Sequence, residues 1–236
     1  MFESTSRVWA GAFVALGLVV SGYLLGNNAK SYVDSQRQVS VKGYAEREVN
    51  ANLVSWPVVM KNVGNDLVSL SGDVDNQIKT ILKFLMDNGL SKEEISVSPT
   101  EIIDMEAERY RSEKPIYRYN TTSVIMITSE KVDLVRTLLT KQKELISRGV
   151  SLAGGDYRYE VQYMYTQLND IKTDMIKEAT QKARAVAEEF AKDSQSKLGK
   201  IKSANQGQIS ISDRDALTPN KKIVRVVTSV VYSLED

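Results

Sequence analysis

Apolar positions change their spacing several times along this chain, and each change predicts an element. The first run is unbroken: from Val8 to Leu25 no side chain carries a charge. As a helix rising about 1.5 Å per residue, it spans close to the roughly 30 Å hydrocarbon core of a bilayer. Its glycines would weaken a helix in water but are tolerated in lipid, where every backbone group must be bonded internally. A cleaved signal would have a shorter apolar region, about 7–15 residues, followed by an A-x-A-like site. The nearest candidate, Asn27-Asn28-Ala29, has asparagine where a small residue belongs. The pattern therefore predicts an uncleaved anchor over residues 1–26 and a polar linker over 27–38, with a cleaved signal and a soluble core helix as the alternatives. Flanking charges bias the orientation only slightly, but a short tail ahead of a long domain favours exporting the domain.

Residues 39–236 read as a folded α+β domain. "VSVKGYAEREV" and "NANLVSWPVVMKNV" alternate as strands, with Val54, Trp56, Val58 and Met60 on one face. Pro57 cannot donate to a ladder, which predicts an edge or a bulge there. Leu67, Leu70, Val74, Ile78, Ile81, Leu82 and Leu85 follow at three- and four-residue steps, the stripe of a helix. Gly89 with Leu90 reads as its left-handed C-cap, and "SKEE" as a capping box before the strand "ISVSPTEIIDM". After a charged hairpin tip, "YRYNTTSVIMITS" returns as a strand. A second helix runs from about Ser129 to Gly149-Val150, repeating the glycine-then-apolar ending. The repeated order suggests two related half-units. "SLAGGDYRYEVQYMY" predicts a further strand. A third helix is expected from about Leu168 to Leu198, with Ile171, Met175, Ala179, Ala183, Val186, Ala187 and Phe190 facing a closely packed sheet and Gly199 as its stop. Two last strands are "KIKSANQGQISIS" and "KIVRVVTSVVYSL". Three main helices among hairpins argue for an antiparallel or mixed sheet with helices on one face.

Composition narrows the chemistry. With Lys+Arg 31 against Asp+Glu 30 and both signs interleaved, no field would gather nucleic acid. There is no cysteine, so disulfides, thiolate nucleophiles and sulfur-based metal sites are excluded within the chain. There is no histidine either, which excludes Ser-His-Asp and Cys-His catalysis and imidazole ligation.

Five segments in order, "VSVKGYAEREV", "FLMDNGLSKEEISVSPTEI", "YRYNTTSVIMIT", "SRGVSLAGGDYRYEV" and "ARAVAEEFAKDSQSKLGKIKSA", resemble the SIMPL-domain family of bacterial envelope proteins. The similarity runs from about Val39 to Leu234. "KLGKI" after an alanine-rich helix and the valine-rich last strand are its most telling pieces. One departure is Ala51-Asn52-Leu53, where the family commonly has Pro-Asp, with a proline only later at Pro57. The resemblance implies an α+β fold of two intertwined sub-domains, a periplasmic location, association into a homo-oligomeric ring and, for some bacterial members, a link to oxidative stress. It implies no catalytic residue and no cofactor.

The most unusual local enrichment is tyrosine beside arginine. Tyr110, Tyr117, Arg118, Tyr119, Tyr157 and Tyr159 are the candidate interface residues, because aromatic and arginine side chains dominate binding hot spots. Cross-strand packing of tyrosine rings is the plainer explanation. The carboxylates of "KEE", "AEREV" and "AVAEEF" read as solvated faces, Asp213 and Asp215 as a weak calcium-like cluster, and Gly154-Gly155-Asp156 as a turn or bulge. Asn120-Thr121-Thr122 matches a glycosylation acceptor but falls within a predicted strand. The expectation is a membrane-anchored, self-assembling protein without enzymatic activity, single-pass in the inner membrane with its C-terminal domain in the periplasm. The alternatives are a binding module for a peptide or polymer, or a hydrolase using carboxylate or Ser-Lys chemistry.

Overall fold

The computed structural model describes residues 15–22, 37–107 and 115–235. Residues 15–22 form a helix, α1, with exposed side chains. The remainder of the Val8–Leu25 run lies outside the described residues. Among the described residues no helix is long and apolar enough to cross a membrane.

The chain divides into two compact units, each discontinuous in sequence. One unit contains Glu48–Leu168 and Ile211–Val224. Its strands are β2 (Leu53–Gly64), β3 (Ile95–Val97), β4 (Glu101–Asp104), β5 (Tyr119–Ser129) and β6 (Gln162–Met164). They form one sheet in the order β3-β5-β2-β6, with β4 also on β5, and the pairings are antiparallel. α2 (Leu67–Asp87) links β2 to β3, and α3 (Val132–Thr140) with α4 (Gln142–Ser147) follows β5. Leu152 bridges back to Met60 on β2. The half-units β2-α2-β3 and β5-α3-α4-Leu152 thus interleave, each last segment pairing with the other half's first strand, as in split β-α-β folds.

Period explains the core. Val54, Trp56, Val58 and Met60 face the same side of the sheet as Ile125 and Ile127 across the β2–β5 ladder. They are buried with Ile81, Phe84 and Leu85 of α2, Val135 and Leu138 of α3, and Leu145 of α4. Leu67 proves exposed on the first turn of α2, and Phe84, which the sequence stripe passed over, is fully buried. Asp66 caps α2 by accepting the Ser69 N–H at 2.8 Å. The two helix endings are alike: Leu90 N–H donates to Leu85 O at 3.2 Å, and Val150 N–H to Leu145 O at 3.1 Å. Gly89 and Gly149 take φ of 98° and 83°, the left-handed position that each ending requires. A Cβ on Gly149 would meet open space, so Gly149→Ala should lose only the conformational term, about 1 kcal/mol, measurable as a small drop in the urea midpoint.

Several expectations are corrected here. β2 is an inner strand despite Pro57, which stands opposite Met126 of β5. The proline is accommodated because on the other side β6 pairs only with Leu53–Ser55 and Leu152 only with Met60, so no ladder partner stands at residue 57. "ISVSPTEIIDM" is two strands, broken around Pro99. The second helix is two segments meeting at Lys141, whose φ of −89° and ψ of 3° leave the helical region. "SLAGGDYRYEVQYMY" is a strand only at Gln162–Met164; Tyr157–Tyr159 form a 3-10 turn, because Asp156 turns its carboxylate onto the Arg158 N–H at 3.1 Å and caps it.

The other unit holds the described residues up to Arg47, with Asn169–Ser210 and the chain from Arg225 onward. β1 (Gln38–Asn50), β9 (Lys221–Glu235) and β7 (Lys197–Gln206) lie side by side in that order, and β8 (Ser210–Asp213) also pairs with β9. "KIKSANQGQISIS" is therefore two strands, with Gly207 between them. α5 (Leu168–Asp193) buries Met175, Ala179, Ala183, Ala187 and Ala191, a strict four-residue series. The alanines let the backbone of α5 approach β1 so closely that a Cβ on Gly43 would overlap the Ala179 carbonyl oxygen. Val186 and Phe190, expected in this stripe, are 43% and 56% exposed. Each stands one residue, about 100° of helix, before a stripe alanine. α5 also ends before Gly199: Gln195 takes φ of 55°, and the Ser196 N–H donates to Ala191 O at 2.8 Å. Gly199 lies in β7, beneath the Ser233 and Glu235 side chains.

Candidate functional site

Tyr110 lies outside the described residues. The other candidate interface residues fall into two clusters that flank β2 on opposite sides. Tyr117, Arg118 and Tyr119 lead into β5, where Tyr119 stands opposite Gly64. The Arg118 guanidinium binds Asp104 of β4 through Nη2 at 2.9 Å and Nε at 3.2 Å, and lies 3.4 Å from Glu106. It also stacks 5.0 Å from the Tyr119 ring centre. Hydrogen bonds from Arg118 hold the Asp104 carboxyl below its ordinary range. Tyr117 is half exposed.

Tyr157 and Tyr159 sit beyond β2 on the 3-10 turn. Arg158 is clamped by Asp156, with Nη2 to Oδ2 at 2.7 Å and Nε to Oδ1 at 3.0 Å, and stacks 5.4 Å from the Tyr159 ring centre. The Arg158 side chain and backbone N–H hold Asp156 at about 2. Tyr157 is 83% exposed. Both arginines are thus fixed by a carboxylate and an aromatic ring, a preorganised arrangement suited to a contact surface. Tyrosine enrichment located both clusters. It did not identify Asp104, which is distant in sequence from Arg118, or Lys61, which lies across from the Tyr157 turn.

A wide, open cavity of about 530 Å³ is lined by Lys61, Gly154, Gly155, Asp156, Tyr157 and Arg158. A smaller apolar groove of about 230 Å³ lies between α2 and the β3 edge, lined by Leu82, Met86, Lys92, Ile95 and Val97.

The carboxylates serve fixed structural partners. Glu94, expected on a solvated face, has a side chain only 16% exposed and accepts from Ser129 Oγ at 2.5 Å, the Ser91 N–H at 2.8 Å and Lys131 Nζ at 2.9 Å. Burial alone would raise its pKa by disfavouring the charged form, but these hydrogen bonds outweigh it and hold the carboxyl at about 2. Lys131 also donates to Gly89 O at 3.0 Å, so one network fixes the end of α2 and the start of α3. Asp213 pairs with Lys222, a nearly buried amine, whereas Asp215 accepts from Arg214 and from the Leu217 and Thr218 N–H groups. These two aspartates therefore turn to different partners, and no cluster of metal-ligating side chains occurs among the described residues. Thr121 of the glycosylation-like triplet is buried in β5.

Comparison with curated proteins gives no match. The family profile described as "SIMPL: Protein of unknown function (DUF541)" matches residues 39–232, from the start of β1 nearly to the end of β9. With that match covering most of its length and agreeing with the five resembling segments, the chain belongs to the SIMPL family.

Proposed function

We propose that this protein is a membrane-tethered assembly module without enzymatic activity, single-pass in the inner membrane, whose C-terminal domain self-associates in the periplasm into a homo-oligomeric ring. The observation that carries the reading is the uncharged run from Val8 to Leu25 ahead of the SIMPL match over residues 39–232. Tethering confines subunits to a surface and raises their effective concentration, so modest contacts suffice for assembly. Surface chemistry supports those contacts. The β3–β4 side of the sheet is an edge carrying exposed Val97, Ile102 and Ile103, a template for strand pairing with another subunit. The two arginine–tyrosine clusters supply rigid aromatic anchors.

Sedimentation of the full-length protein in detergent tests the reading. The expected result is one oligomer whose sedimentation coefficient falls when Val97 and Ile102 are both changed to lysine, with an unaltered circular dichroism spectrum. A monomer at every loading concentration would contradict it.

A further inference from the structure

The cavity at Lys61 has features that neither packing nor assembly requires. Lys61 extends from β2 and makes no ion pair or side-chain hydrogen bond among the described residues. Its neighbour Arg158 is fully engaged by Asp156. The backbone N–H groups of Gly154 and Gly155 donate no hydrogen bond within the described protein, although the flanking Ala153 N–H donates to Val59 O at 2.8 Å. A Cβ on Gly154 would meet nothing within 4 Å, and Gly154 lies outside the left-handed region that Gly155 occupies at φ 83°. Neither conformation nor internal packing therefore demands glycine at 154. What its missing side chain leaves is an open floor beside the Lys61 ammonium group, whose charge also acts on Asp156, with the exposed Tyr157 ring at its rim.

We propose that this cavity is a binding site for a carboxylate-bearing ligand, with the carboxylate on Lys61 Nζ and the glycine N–H groups and an adjacent flat apolar surface on Tyr157. Charge favours a monoanion. Lys61 and Arg158 against Asp156 leave the lining with a single net positive charge, which a carboxylate neutralises and a phosphate dianion would overrun. Free backbone N–H groups over glycine permit close approach of an anion, and a charge-assisted bond from lysine adds strength. Phenol rings offer a broad apolar face at low conformational cost.

Calorimetric titration of the full-length protein with benzoate, its neutral isostere benzamide and inorganic phosphate tests this assignment. Benzoate is expected to bind saturably and benzamide at least about tenfold more weakly, the loss of one charge-assisted contact. Lys61→Met should weaken benzoate by a similar factor. Gly154→Val should abolish binding while leaving the thermal midpoint unchanged, because its side chain enters the open floor and not the core. Equal binding of benzamide, tighter binding of phosphate, retention of benzoate by both variants, or no benzoate heat at millimolar concentration would each overturn the proposal. An acetylated tripeptide with a free terminal carboxylate, compared with its last residue as the free acetylated amino acid, distinguishes the source: tighter peptide binding assigns a chain end, and the reverse a small free acid.

Discussion

Gly43→Ala should destabilise the α5–β1 unit by about 3 kcal/mol, at the upper end of ordinary overpacking, and Gly43→Val by more. The added Cβ would overlap the Ala179 carbonyl oxygen and stand 2.5 Å from the Ala183 backbone nitrogen. Both are helix backbone atoms, so no side-chain rotation relieves the clash, and α5 must move off β1. That movement would uncover the alanine series from Ala179 to Ala191, which is buried only because the helix lies so close. Urea unfolding should show a clearly lower midpoint, whereas Gly154→Ala, which adds its methyl to open space, should show none. An unchanged midpoint for Gly43→Ala would mean that α5 does not approach the strand this closely.

Removing the Glu94 carboxylate should have a comparable effect through electrostatics. Its folded value of about 2 lies below the ordinary 4.5, so the ionised form is stabilised by folding. The contribution is fully present above about pH 4.5 and is lost as pH falls towards 2, amounting to about 3 kcal/mol at neutral pH. Glu94→Gln should therefore unfold at lower urea at pH 7, and the difference from the unmodified protein should shrink steadily below pH 4.5. Glu94→Ala should cost more at low pH than Glu94→Gln, since it also leaves the Ser129 hydroxyl without its acceptor. A difference independent of pH would show that packing around Glu94 matters and its ionisation does not.

Elements with one dominant period are legible in the sequence alone. β1, β2 and α2 follow from alternation and from the three- and four-residue steps, and the paired endings at Gly89 and Gly149 follow from glycine's access to positive φ. Misreadings arose where a local signal competed with a distant one. Pro57 reads as an edge signal, yet β5 runs past it on one side and only β6, on the other, stops short of it, so the proline sits inside the sheet. Val186 and Phe190 are apolar and adjacent to the alanine stripe, but only tertiary packing reveals that alanine, the smaller side chain, marks the buried face. The Tyr157 turn alternates like a strand until Asp156 caps it. The candidate site was legible as tyrosines and arginines. The carboxylates that fix them were only partly legible: Asp156 stands two residues from Arg158, whereas Asp104 is brought to Arg118 by the β4–β5 pairing. Glu94 is legible as the capping-box partner of Ser91, but its bonds to Ser129 and Lys131 are not, since those residues reach it from the far end of β5 and the start of α3.

The most direct test of a tethered assembly is native mass spectrometry of the full-length protein released from membrane nanodiscs, which reads the N-terminus and the stoichiometry in one spectrum. A single multimer whose subunits retain the Val8–Leu25 segment is the predicted result. Subunits that begin near residue 30, or an intact chain that is recovered only as a monomer, would contradict it.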